Sequence, residues 1–177
     1  MKGRFRKVLD ISTSTLLCCG GLIVLVQAFW ITYGVFMRYV IGNPDGMVTE
    51  ATALMLVPLA FVGLSYAHKA DAFPKVTIFV DKLSKARREN LAILNSALIM
   101  LISVFFTLAA CKGLSKSYVS LAASEILLWP KYYFWAGVFV SLMNLSLISI
   151  LKFYDSIVHK LESVRGKPPT PQTKLGE

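Results

Sequence analysis

Charge is scarce in this sequence, and four stretches, 11–37, 51–67, 91–111 and 132–151, contain no Asp, Glu, Lys or Arg at all. A helix needs roughly 17–25 apolar residues to cross a hydrocarbon core, and these runs lack the polar face that a helix of a soluble bundle carries. With 55% apolar and 16% charged residues, an ordinary soluble domain is excluded. Histidine is nearly missing as well. His68 and His159 are the only two, and both fall outside the charge-free runs, so the histidines that would hold haem between spans are absent. The three cysteines, Cys18, Cys19 and Cys111, have no C-x-x-C spacing and suit small buried side chains better than disulfide exchange. No phosphate loop, metal-ligand cluster or nucleophile motif occurs, and no internal repeat. The expectation is a protein that is not an enzyme, without catalytic, metal or substrate-binding residues and without a cofactor.

The first run follows Lys2, Arg4, Arg6 and Lys7, as a secretory signal would. It is much longer than the apolar region of such a signal, about 7–15 residues, and no small-residue cleavage pattern follows it, so it reads as a retained span. The net charge of +9 is a topology signal: fifteen of the 19 basic residues lie before span one, between spans two and three, or after span four. The positive-inside rule then places both termini and the central connector in the cytoplasm, with anionic headgroups as counter-charges and no nucleic acid as partner. The fold expected is an all-α integral membrane protein with four transmembrane helices, about 11–37, 47–67, 91–111 and 132–151. These form a single membrane domain over 1–160, and a disordered tail covers 161–177.

Between spans one and two lies a hinge, 38–46, dense in turn formers. Pro58 should kink or loosen span two. The connector between spans two and three carries Val76, Phe79, Val80 and Leu83 at i, i+3, i+4 and i+7, with Lys75, Lys82 and Lys85 elsewhere on the helix. That pattern predicts an amphipathic helix over about 72–86, lying in the headgroup plane on the cytoplasmic side. Residues 112–131 read as a helix-compatible, semi-apolar outer segment, closed by an aromatic belt of Trp129, Tyr132, Tyr133 and Trp135. Inside the spans, Gln27, Asn95 and Asn144 are candidates for hydrogen bonds between helices, and Gly137 with Ser141 for close helix approach. Glu50 can pair with Arg38 across the hairpin or meet a partner at the outer surface.

Ion movement by one chain usually needs buried ionisable groups or broken helices near the midplane, and the charges here cluster at the edges. A scaffold for a larger partner fits this distribution. The alternatives are a self-sufficient oligomeric transporter or channel, and the membrane anchor of a redox enzyme.

Several soft motifs, in order and spacing, are similar to a known family. They are Arg38-Tyr39-Val40 at the end of span one, Glu50 with Gly63 thirteen residues later, the connector FPKVTIFVDKLSKARRENL, Pro130 with Tyr133, and Leu142-Met143. Together they resemble, over about 15–152, the DctQ-like small membrane subunit of TRAP (tripartite ATP-independent periplasmic) transporters. Phe73 and Thr77 stand where the family often has His and Asp, and Pro58 where it often has tryptophan. The resemblance implies a bacterial inner-membrane protein that partners a large permease subunit and a periplasmic substrate-binding protein in sodium-dependent uptake of an organic acid, of the sialic acid or C4-dicarboxylate type. It implies docking of the binding protein at the outer edge, for which the candidates are Arg38, Asp45, Glu50, Lys116, Glu125 and Lys131.

Overall fold

The computed structural model describes residues 2–73 and 85–164. It contains α1 (Lys2–Phe36), a π-helical turn (Met37–Ile41), α2 (Gly46–Lys69), α3 (Lys85–Val119) and α4 (Tyr132–Val164). All four α-helices are long and apolar enough to cross a membrane. Among the described residues there is no strand, only an isolated bridge between Ala123 and Pro130.

Most helix ends outrun the charge-free stretches, although α4 starts at Tyr132 together with its run and α1 gives way to the π-helical turn at Met37. Absence of charge marks what lies in hydrocarbon, whereas a helix can continue into water once its charged residues reach the surface. Thus α4 continues past Lys160 to Val164, into the part expected to be tail, and 165–177 lie outside the described residues. The first hinge shrinks to 42–45, because Arg38-Tyr39-Val40 belongs to the π-helical turn. Gly42 ends that turn at φ 74°, a left-handed conformation in which its N–H can reach Met37 O. Most of the expected interfacial helix falls outside the described residues: Lys75, Val76, Phe79, Val80, Lys82 and Leu83. At its edges, Ala72 and Phe73 are not helical and Lys85 opens α3.

α4 is the central element. It packs against α3 along nearly its whole length, against α2 in parallel, and more lightly against α1, while α1 and α2 form an antiparallel hairpin. Within the most apolar stretch of each span, 44% of α4 is buried but only 6% of α3. Val138, Leu142 and Leu145 of α4 form the core with Ala110 of α3, and Phe61 and Leu64 of α2 pack on it. α1 and α3 keep broad apolar flanks open, including Phe29, Leu101 and Phe105.

Without a hydrophobic drive between helices in lipid, close backbone approach has to hold them together. Glycine permits it at two places above all. A Cβ on Gly34 of α1 would sit 2.6 Å from Val48 Cγ1 of α2, and one on Gly113 of α3 would sit 2.5 Å from the Trp135 ring of α4. Small polar groups add links without exposing charge to hydrocarbon. The Ser65 hydroxyl donates to Ser141 O at 3.0 Å, that of Thr107 to Leu142 O at 3.0 Å, and the Gln27 amide to Thr52 O at 3.3 Å. Asn144 joins α4 to α1 by donating to Ser12 Oγ at 2.6 Å and accepting from Thr13 Oγ1 at 3.1 Å. Gly137 faces Pro58, whose Cβ would lie 3.1 Å from an added Cβ, so the proline is seated against α4 at a point that admits no larger residue comfortably. Asn95 is exposed on α3, and Cys18, Cys19 and Cys111 are also exposed instead of buried as small core side chains.

Gly113→Ala should destabilise the α3–α4 hairpin by about 1–3 kcal/mol, the usual cost of overpacking. Adding Trp135→Leu should recover much of that loss, as measured by reversible denaturation of the purified chain in mixed micelles.

Candidate functional site

The hinge end of the helix array carries a backbone nest filled by one carboxylate. After α3 ends at Val119, the chain turns at Leu121 and returns through Ala122–Lys131, where Lys131 N donates to Ala122 O and Ser124 N to Trp129 O, both at 2.9 Å. Ser124 Oγ accepts from Trp129 N at 3.0 Å and so ties both sides of this small loop. Leu121 and Leu128 adopt φ of 48° and 55°, a left-handed conformation costly for such side chains. The geometry leaves the successive N–H groups of Glu125, Ile126 and Leu127 pointing the same way. Glu50, one turn into α2, accepts all three, at 2.7, 3.0 and 2.7 Å. Aligned amides of this kind form an anion-binding concavity, and hydrogen bonds to a charged acceptor are among the strong ones. Glu50 therefore pairs inside the chain, but with a loop backbone instead of Arg38.

This bond pattern explains why 120–131 is not helical. The segment is helix-compatible by composition, yet the positive φ values and the Ala123–Pro130 bridge bend it into a cap over α2.

The other docking candidates surround this cap. Asp45 is the N-cap of α2 and accepts from Met47 N at 2.9 Å. Arg38 is exposed, its guanidinium 5.9 Å from the Tyr39 ring centroid. Lys116 and Glu125 are exposed and Lys131 is half-buried. Glu125 has its amide in the nest. Aromatic rings mark one level through all these elements. Tyr118 of α3 meets Tyr132 of α4 edge-on at 5.8 Å, Tyr132 lies 4.2 Å from Tyr133, Trp129 stacks on Phe134 at 6.4 Å, and Trp30 lies 6.1 Å from Tyr33 on α1.

The opposite end, where both ends of the described chain lie, is bound by ions. Lys69 of α2 meets Asp10 of α1 at 2.8 Å, and Arg6 of α1 meets Asp155 of α4 at 2.6 Å. Lys152 of α4 donates to His68 O at 2.5 Å, to Lys69 O at 3.3 Å and to Asp71 Oδ1 at 2.9 Å. A cation there satisfies carbonyls that a helix C-terminus leaves open and complements its dipole. Lys160 of α4 donates to Asn90 Oδ1 of α3 at 2.6 Å. Phe73, which stands where a histidine was expected, stacks on His68 with centroids 5.6 Å apart.

None of these ionic contacts was anticipated from the sequence, although a signal was present. Asp10, Lys69 and Lys152 each directly flank or lie close to the edge of a charge-free run, which places them at one bilayer level. Among the described residues, no three His, Cys, Asp or Glu side chains gather where they could hold a metal ion.

The model of the family "Tripartite ATP-independent periplasmic transporters, DctQ component" matches residues 27–158. The chain belongs to that family. Its members are the small permease subunits of TRAP systems, which work with a large permease and a periplasmic binding protein; this is a transporter-component family, not a family of enzymes. The matched stretch covers the hinge, α2, the capping loop and all of α4 up to the ionic end. A search of curated proteins gives no match.

Glu50→Gln removes the charge that the nest holds, and the amides of 125–127 should then exchange with deuterium roughly ten times faster. Arg38→Ala should leave those three amides unchanged. The pair of measurements, by hydrogen–deuterium exchange with peptide-level readout, separates the two possible partners of Glu50.

Proposed function

We propose that this DctQ-family chain is a positional subunit, which widens and steadies the scaffold of the large permease and helps seat the substrate-binding protein at the hinge end. The observation that carries the reading is the family match over 27–158, taken with a helix array whose α1 and α3 flanks are apolar and open. A large apolar flank beside a well-satisfied core is a surface for another membrane protein as well as for lipid. On this reading the chain sits in the bacterial inner membrane with both termini cytoplasmic. The charge distribution supports that orientation, since fifteen of 19 basic residues fall on the termini side. The connector residues Val76, Phe79, Val80 and Leu83, with Lys75, Lys82 and Lys85, then serve as an interfacial helix on the cytoplasmic surface. The large subunit carries the sodium and substrate sites, for an organic acid of the sialic acid or C4-dicarboxylate type.

The docking surface consists of Arg38, Asp45, Lys116, Glu125 and Lys131 around the capping loop, with Glu50 as the residue that positions the loop. Charges at a rim set encounter rates and partner choice more than ultimate affinity.

In proteoliposomes holding both permease subunits, combined reversal of Arg38, Lys116 and Lys131 to Glu should raise the binding-protein concentration for half-maximal uptake by roughly fivefold or more at low salt. Maximal uptake should be preserved. Unchanged concentration dependence would remove the docking role, and failure of the wild-type chain to co-purify with the large permease would remove the scaffold role.

A further inference from the structure

Beside the capping loop lies an open groove of about 280 Å³ lined by Trp30 and Tyr33 of α1, Asp45 and Met47 at the start of α2, and Leu127 and Trp129 of the loop. Its lining is apolar and aromatic apart from one carboxylate. Asp45 uses Oδ1 to cap α2, and among the described residues Oδ2 accepts no hydrogen bond from the protein. Aromatic rings and a carboxylate around one space suit an organic cation, through the ring quadrupole and direct charge pairing. The N-terminus of α2 contributes about half a positive charge nearby, and the full negative charge of Asp45 more than offsets it.

Two further observations say which cation. The groove lies at the level of the tyrosine and tryptophan ring, where aromatic residues mark the headgroup region. From its α1 wall an exposed apolar stripe, Leu22, Val26, Trp30 and Tyr33, runs at helical spacing toward the bilayer centre. A headgroup in the groove would have its acyl chains on that stripe, whereas a basic side chain of a water-soluble partner would make no use of it. We propose that the groove binds the ammonium headgroup of an aminophospholipid of the phosphatidylethanolamine kind, from the leaflet at the hinge end. The assignment shares Asp45 with the proposed docking surface, and the lipid comparison, made without the binding protein, lets either reading fail alone.

The test titrates the full-length chain in detergent micelles with phosphatidylethanolamine or with phosphatidylglycerol of the same acyl chains, and counts retained lipid by native mass spectrometry. The wild type should hold the ethanolamine lipid roughly tenfold more tightly than the glycerol lipid. Asp45→Asn, which keeps a good N-cap while deleting the charge, should abolish the preference with helical content unchanged by circular dichroism. Trp30→Leu, which leaves both cap and charge, should weaken retention of the ethanolamine lipid and leave that of the glycerol lipid as it was. Equal retention of the two lipids by the wild type, or a preference that survives both substitutions, overturns the proposal. So does a wild-type chain that retains neither lipid but whose affinity for the substrate-binding protein drops with Asp45→Asn, since the groove then belongs to a protein contact.

Discussion

The hydrocarbon interior, about 30 Å thick, gives no solvent partner to any polar group, and the arrangement of this chain follows from that limit. Its strong polar contacts are gathered in two layers. From Asp10, in the ionic layer, to Thr32, at the level of the aromatic ring, α1 rises about 33 Å at ~1.5 Å per residue. From Glu50 to Lys69, α2 covers about 29 Å by the same rise. Between the layers, the links among the described helices are neutral groups: hydroxyls, the amides of Gln27 and Asn144, and glycines that let backbones approach.

Much of this could be read from the sequence, for a definite reason. Spans are encoded by what they exclude, and each of the four charge-free runs falls within a helix long and apolar enough to cross a membrane. Their ends are encoded poorly, because a helix that has left the hydrocarbon tolerates Arg6, Arg88 or Lys160 as readily as a loop does. The hinge is shorter than its sequence suggests for the same reason: Arg38 looks like the end of a span, yet the backbone continues through a π-helical turn. The partner of Glu50 was out of reach in a different way. Its three donors are main-chain N–H groups, which every residue but proline has and which no residue letter distinguishes. Only the loop conformation, with Leu121 and Leu128 at positive φ, aligns them. The exposed cysteines show a related limit. Small apolar side chains fit a helix interface or a lipid-facing flank equally well, and periodicity is weak in helices that are apolar nearly all round.

The uneven burial of the helices gives the functional reading its shape. α4 satisfies its neighbours on several sides, while α1 and α3 present flanks that the described residues leave uncovered. A DctQ-family subunit with this distribution has its internal order decided at α4 and its external contacts left to the outer helices. The small residues that fix the inner contacts lie along the seams between the helices, from Gly34 and Gly113 near the capping loop to Gly137 against Pro58.

α2 is held at both extremities by the α3–α4 unit. At one end Glu50 grips the loop that leads into α4, and at the other Lys152 of α4 grips the final carbonyls of α2. Packed helices commonly respond to a moving neighbour by shear, and a larger slip takes a full turn of about 5.4 Å. Such a slip between α2 and α4 would have to undo an anionic and a cationic clamp at the same moment, some 29 Å apart at ~1.5 Å per residue. A load applied to this chain by a moving companion is thus transmitted as tilt of one stiff body, not dissipated as sliding inside it.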